Sequence, residues 1–445
     1  MNIKSILSLS ILAFLFNTSH TAAHPDSSAF IAANGTEVAG PQCDCYTISG
    51  PDLGYFTHYR FWDFRAVPLD PGLAKTFNFR PAMIQDEGHG LGDVNSFEEL
   101  ENRNVDEQPI LLKDTPFALD WKVQNWNRPG SRLFPITVVN SNKNVFISKS
   151  KSNGKSTFLT LRNTRLDSYS SAAEIETAFK DVFHVSMRVR LRLLQKDEPK
   201  LVPAGENVAM TDVERVMLRP DTVDLTRQTA RRLPPPNGAC AGIFTYFSPT
   251  SECDIEMLTA DPPNRVHYAN QPDYDPVADR IIPGASIAKD VPVPWTSWST
   301  HRLDWLPDIS RWYVENEPQA SNTYSVPHDP SMLIINLWSD GGLWSGNLTV
   351  GESVYMGIEW IEIAYNVSNS LIGRDGLSKR EEEYRQMRSS YGDQWVLSDT
   401  LENEPKGFHT NLESKRQIRV DGGQCRNVCR IDGVQHTGIP EIVRS

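Results

Sequence analysis

A-C-A-G-I-F-T-Y-F-S-P-T-S-E-C-D-I-E-M-L, residues 239–258, carries the pattern on which the reading of this chain turns. Two runs rich in aromatic and aliphatic residues flank S-P-T-S (248–251), a turn-forming tetrad, so the segment predicts a β-hairpin. In its second arm Glu252, Asp254 and Glu256 point to one face, and Cys253, Ile255 and Met257 to the other, because side chains alternate along a strand. Asp and Glu are depleted in strands. Like charges in a row also raise the cost of ionising all of them. The row is therefore either a solvated strand face or a device for acid–base chemistry, and its spacing leaves both open.

Working outward, the same strand signals recur. Y-F-T-H-Y-R-F-W-D-F-R (55–65), N-V-F-I-S (144–148) and S-T-F-L-T-L (156–161) precede the hairpin. F-H-V-S-M-R-V-R-L-R-L-L (183–194) alternates polar and apolar residues and reads as a half-buried strand with one polar face. Downstream come 264–269, 299–306, 311–315, 332–338 and 356–365. Many short strands punctuated by Pro, Gly and Asp predict an all-β fold, a sandwich or jelly roll. Residues 67–117 read as a surface excursion and 195–237 as an inserted loop, both from their Pro-rich and acidic composition. After Val367 the chain turns polar, with a charged helical pattern at 378–390.

The N-terminus has Lys4 followed by an apolar run at 6–16 and T-A-A at 21–23, the pattern of a cleaved secretory signal. The run is too short to span a bilayer, which takes roughly 20 residues. Secretion suits the N-x-[ST] sequons at Asn34, Asn347 and Asn366 as glycosylation sites, and the even number of cysteines, six. Six cysteines allow fifteen pairings. With a tight turn at S-P-T-S, Tyr246 lies opposite Cys253 and Cys240 lies six residues further along, roughly 20 Å away. A disulfide tolerates Cα atoms only to about 7 Å, so no bridge is expected there and Cys253 is expected as a buried thiol. A bridge is expected between the pair Cys43/Cys45 and the pair Cys425/Cys429. The formal charge of −12 without a Lys/Arg stripe argues against nucleic acid or anionic membrane as a partner.

A carboxylate row has an obvious chemical use. A retaining glycosidase sets two carboxyl groups about 5–5.5 Å apart, one as nucleophile and one as acid/base. Glu252 and Glu256 have Cα atoms roughly 13 Å apart on a straight strand, so their side chains must lean together. Asp254 between them would orient one and help to hold their protons apart. Other chemistries lack their signatures: G-x-S-x-G, H-E-x-x-H and a P-loop are all absent. The Trp residues cluster at 295, 298, 305, 312, 338, 344 and 360; most are expected in the core and some along a sugar-binding surface.

The hairpin resembles the active-site region of glycoside hydrolase family 16, the β-glucanases and transglycosylases built on a concanavalin A-like jelly roll. The resemblance continues in order through H-R-L-D-W-L-P-D-I-S-R-W-Y-V-E (301–315), P-S-M-L-I-I-N-L-W-S-D-G-G-L-W-S-G (330–346) and I-E-W-I-E-I (358–363), and covers roughly 52–368. It implies Glu252 as nucleophile, Glu256 as acid/base and Asp254 as the assisting carboxylate. It also implies sugar contacts at Trp305 and His267, with Gln271 and Asn270 beside them. The regular E-x-D-x-E spacing resembles the lichenase and cell-wall transglycosylase branches; laminarinase-like members carry an extra residue. Thr250, where lichenases have Trp, and Cys253, where an aliphatic residue is usual, depart from the pattern.

The expected organisation is a signal peptide (1–23), a lead-in (24–51), a jelly-roll domain (52–368) and a polar extension (369–445). The expected function is that of a secreted, monomeric, retaining hydrolase of internal bonds in β-1,3/1,4-glucan. It would use no cofactor or metal and would not insert into membrane. A glucan transglycosylase and a non-catalytic glucan-binding protein are the alternatives.

Overall fold

The computed structural model describes residues 43–51, 54–75, 109–149, 156–194, 234–275, 278, 280–368 and 425–443, with the backbone of short strands at Ala29–Ile31 and Glu37–Ala39. The signal segment, Asn34, residues 76–108 of the excursion, residues 195–233 of the insertion and the charged segment 378–390 lie outside these.

The main strands are β1 (His58–Asp63), β2 (Trp121–Val123), β3 (Val145–Lys149), β4 (Thr157–Arg165), β5 (Tyr169–Thr177), β6 (Val182–Leu194), β7 (Cys240–Ser248) and β8 (Ser251–Leu258). They continue with β9 (Arg265–Asn270), β10 (Ser286–Asp290), β11 (Ser299–Trp305), β12 (Ser310–Val314), β13 (Glu317–Asn322), β14 (Met332–Trp338) and β15 (Ser353–Val367). One antiparallel sheet runs β2–β5–β14–β7–β8–β9–β10. The other runs β3–β4–β15–β6–β11–β12–β13, and β1 pairs with the second half of β15. β5 belongs to both sheets. Its first half pairs with β4 and its second half with β14, so the ladder closes on itself as a jelly roll.

Period-two alternation fills the space between the sheets. Ala241, Ile243, Ile255, Met257, Val266, Tyr268, Leu333, Ile335 and Leu337 come from the first sheet. Val185, Met187, Val189, Leu191, Leu303, Ile361 and Ile363 meet them from the second. Each Val, Leu, Ile or Met among them contributes about 1.5–3 kcal/mol when fully buried. The ends of the 67–117 segment are not surface excursion: Val67, Ala74, Ile110, Leu112 and Phe117 sit in this core.

The hairpin register differs from that of a simple tight turn. Ser248 pairs with Ser251, but an irregularity at Phe247 then sets Tyr246 opposite Glu252 and Thr245 opposite Cys253. A one-residue bulge exchanges the faces of every residue that precedes it. It puts Cys240, Gly242, Phe244 and Tyr246, rather than their neighbours, on the face that carries the carboxylates.

The polar face of β6 is not solvated either. Arg188 and Arg192 are buried. Arg192 lies against the Trp298 ring, 4.4 Å from its centroid, and Arg188 is covered by a small sheet ordered Glu441–Ile442, Val428–Arg430, Cys45–Thr47, Tyr55–Phe56. Disulfides Cys43–Cys429 and Cys45–Cys425 fasten its two chain segments, and Cys240 and Cys253 are free and buried. From this strap Asp432 reaches Arg188 at 2.8 Å and Arg302 at 3.4 Å. Burial alone would raise its carboxyl, but the two guanidinium groups outweigh that and hold it below the ordinary range.

Candidate active site

β8 carries its carboxylates without interruption, since the register is regular from Glu252 to Leu258. Glu252, Asp254 and Glu256 therefore share the sheet face turned away from the core, with Cys253, Ile255 and Met257 inside it. On β7 the residues opposite are Tyr246, Phe244 and Gly242. On β9 Ala269 stands opposite Asp254, and His267 opposite Glu256. At Gly242 a Cβ would lie 2.7 Å from Asn336 Oδ1, so any side chain there would have to displace the Asn336 amide.

Each carboxylate has its own surroundings. Asp254 is buried, and Gln271 Nε2 donates to its Oδ2 at 2.8 Å. Glu256 is held at both oxygens: Trp344 Nε1 donates to Oε2 at 2.9 Å, and Cys240 Sγ lies 3.3 Å from Oε1. Trp344 is fixed in turn by the His267 ring, edge-on at 4.9 Å between centroids, and His267 Nε2 pairs with Asp261 Oδ2 at 2.6 Å. Burial raises all three carboxyl groups. Glu252 is driven well above the ordinary range by burial, then by the Asp254 charge and their mutual hydrogen bond. Asp254 is raised by burial and by Glu256, against the opposing bonds from Gln271 and Glu252. Glu256 reaches about 7 through burial, partly offset by the Cys240 and Trp344 donors. Asp273, also raised by burial, adds negative charge beside all three.

The same face extends across β14 and β5. Asn336 Nδ2 donates to Glu174 Oε2 at 3.4 Å, and Trp126 Nε1 donates to Glu174 Oε1 at 2.9 Å. Arg128 pairs with Asp340 at 2.6 Å and lies over the rings of Phe134 and Trp338. Asn336, Trp344 and Cys240 lie in segments that the sequence marks as strands or as resembling the family; period two alone does not say which strands adjoin β8. A polar depression of about 330 Å³ opens beside the hairpin turn, lined by Ser248, Thr250, Ser325 and His328 among others; it contains none of the three carboxylates.

Of the residues expected to contact sugar, His267 and Gln271 lie beside the row. Trp305 does not. It is fully buried on β11 in the opposite sheet, faces the core with Leu303, and donates Nε1 to Pro327 O at 2.8 Å. Asn270 does not either: it pairs with Cys253 across β8–β9, so it shares the core-facing side. Its amide is used there, with Nδ2 donating to Tyr324 O and Oδ1 accepting from Ser310 Oγ.

No family model matches the chain. Sequence relatives do. A β-glucanase of Paenibacillus polymyxa is 26% identical over 136 residues, 29% of this chain and 54% of that protein. The β-glucanase of Bacillus subtilis (strain 168) is 26% identical over 134 residues, 28% of this chain and 51% of its own. The chain resembles the β-glucanases of glycoside hydrolase family 16. It spans about half the length of the curated β-glucanases it matches. Among solved structures, a Bacillus licheniformis β-glucanase is 17% identical with a TM-score of 0.38, covering 56% of this chain and 92% of its own. A Bacteroides ovatus mixed-linkage-glucan protein of the same family, in complex with a product, is 16% identical with a TM-score of 0.39, covering 61% of this chain and 98% of its own.

Proposed function

We propose that this chain is a secreted retaining endo-β-glucanase acting on β-1,3/1,4-glucan. The observation that carries the reading is the uninterrupted row on β8, in which a carboxyl raised to about 7 stands four residues from a second, half-buried carboxyl that is also raised, with the buried Asp254 between them. Glu252, as carboxylate, attacks the anomeric carbon while Glu256 protonates the departing glycosidic oxygen. Glu256 then removes a proton from the water that releases the sugar from Glu252. Glu252 and Asp254 titrate as one pair. One proton on that pair relieves their repulsion, and the attack requires it to sit on Asp254. The proposal follows the β-glucanase relatives for substrate class and the two disulfides, with the signal-like N-terminus, for secretion.

The test is incubation with mixed-linkage glucan, a β-1,3-glucan and a soluble β-1,4-glucan, followed by sizing and linkage analysis of the products. Release of short oligosaccharides from mixed-linkage glucan is expected, and no turnover on any of the three would overturn the reading. The pH profile follows from Glu256. A general acid works protonated, so kcat/KM should fall as pH rises through about 7, with the descending limb there. A profile flat from pH 6 to 9 would remove Glu256 from that role.

For glycosylation we propose Asn347, which is exposed. At Asn366 the amide Nδ2 donates to Tyr55 O at 3.2 Å and Oδ1 accepts from Thr57, so a glycan there must leave through the second Nδ2 hydrogen of a half-buried amide.

A further inference from the structure

The free thiol of Cys240 is fully buried and lies on the carboxylate face only because of the bulge at Phe247. Its Sγ stands 3.3 Å from Glu256 Oε1. Burial and the adjoining Glu256 carboxylate push the thiol well above its ordinary range, so it remains S–H and serves as a donor. The position of β7 is fixed from both sides. Ala239 exchanges bonds with Thr259: its N–H donates to Thr259 Oγ1, and its carbonyl accepts from Thr259 N. Gly238, at φ +110°, lies against the 347–348 backbone, where a Cβ would come within 2.2 Å of Leu348 N. The loop pressed against that glycine is the one that delivers Trp344. It is itself braced by Asp340, whose Oδ1 accepts from Gly342 N and Ser345 Oγ, both at 2.9 Å. Two donors on two elements that meet at Gly238 thus grip the two oxygens of one carboxylate.

We propose that Cys240 is a positioning residue for the acid/base. Its S–H holds the Glu256 carboxylate in one orientation and stabilises its ionised form, opposite Trp344. This rests on the reading of Glu256 as general acid. A merely space-filling cysteine would affect stability and leave the titration of Glu256 alone. A donor lost from a carboxylate moves that group's titration upward.

The experiment compares wild type with Cys240→Ala, Cys240→Val and Cys240→Ser in two readouts. One is the descending limb of kcat against pH on mixed-linkage glucan. The other is the ¹³C titration of the Glu256 side-chain carboxyl in free enzyme. In the Ala and Val variants the limb and the ¹³C midpoint should both move up by about half a unit or more. At pH 5.5 kcat should fall between several-fold and about 10²-fold, with KM within two-fold. Cys240→Ser keeps a donor and should return both readouts towards wild type. Folded Ala and Val variants with an unmoved ¹³C midpoint would overturn the proposal, as would a Ser variant that behaves like Ala. If wild type turns over no glucan while the midpoint still shifts, the positioning contact stands and the hydrolase reading fails.

Discussion

Glu252→Gln is expected to abolish turnover, with kcat falling on the order of 10⁴-fold or more, the scale reached when a covalent nucleophile is deleted. The amide keeps the shape and part of the hydrogen bonding of the carboxyl but cannot form the glycosyl ester. Glu256→Ala should behave differently. A general acid contributes typically 10²–10⁴-fold, and that loss depends on the leaving group. A substrate with a dinitrophenolate leaving group, which needs no proton, should form the covalent intermediate at nearly the wild-type rate. Added azide should then intercept it as the β-glycosyl azide. In Glu252→Ala azide must attack the substrate directly and give the α-azide. The same anomer from both variants would contradict the assignment of the two roles.

The row should also leave a mark on stability. Glu256 titrates at about 7 in the folded protein against 4.5 as an ordinary glutamate. A folded-state value raised in this way gives stability that is present below the unfolded value and lost as pH rises through the folded one. Glu256→Gln, which removes that ionisation, is therefore expected to raise Tm at pH 8 and to leave it nearly unchanged at pH 4. Equal shifts at both pH values would mean that the effect comes from packing.

Asp432→Ala is expected to cost about 3–5 kcal/mol of unfolding free energy, the range found when one partner of a buried ion pair is removed. The side chains of Arg188 and Arg302 are 2% and 1% exposed, so neither cation can recover its loss from water. Arg302 keeps Asp304, which accepts from its Nη2 at 2.6 Å, while Arg188 keeps, among the described residues, the more distant Glu362 at 3.7 Å. Ser49 N would also lose the acceptor it now finds at 2.7 Å on Asp432. Urea denaturation at pH 7 measures the loss. The contribution of Asp432 should disappear in acid, because a depressed carboxyl stabilises above its unfolded value and ceases to do so as pH falls through the folded one. A loss below about 1 kcal/mol would place this strap with ordinary surface ion pairs.

Much of the fold and the centre of the site were legible because both rest on period two. The alternation in 251–257 fixes which side of β8 carries charge, whatever lies beside it. The same rule shows why part of the expected sugar-binding set fails. His267 and Asn270 are three residues apart on β9, so they cannot share a face. Once His267 faces Glu256, Asn270 must enter the core. Trp305 was out of reach for a different reason: a strand's pattern shows that it has a buried side, and not which sheet it joins. The bulge at Phe247 was hidden because S-P-T-S suits a simple tight turn, yet that single residue decides that Cys240 and Gly242 meet Glu256. That the polar face of β6 is covered was hidden because Asp432, the partner of Arg188, stands 244 positions away from it in sequence.

The most direct measurement is the mass of the protein after reaction with a 2-deoxy-2-fluoro β-glucosyl donor bearing a dinitrophenolate leaving group, followed by peptide mapping. The account predicts a gain of one fluoroglycosyl unit, carried by Glu252 and absent in Glu252→Gln. A label on Asp254 or Glu256, or an unlabelled protein that hydrolyses glucan with inversion at the anomeric carbon, would contradict it.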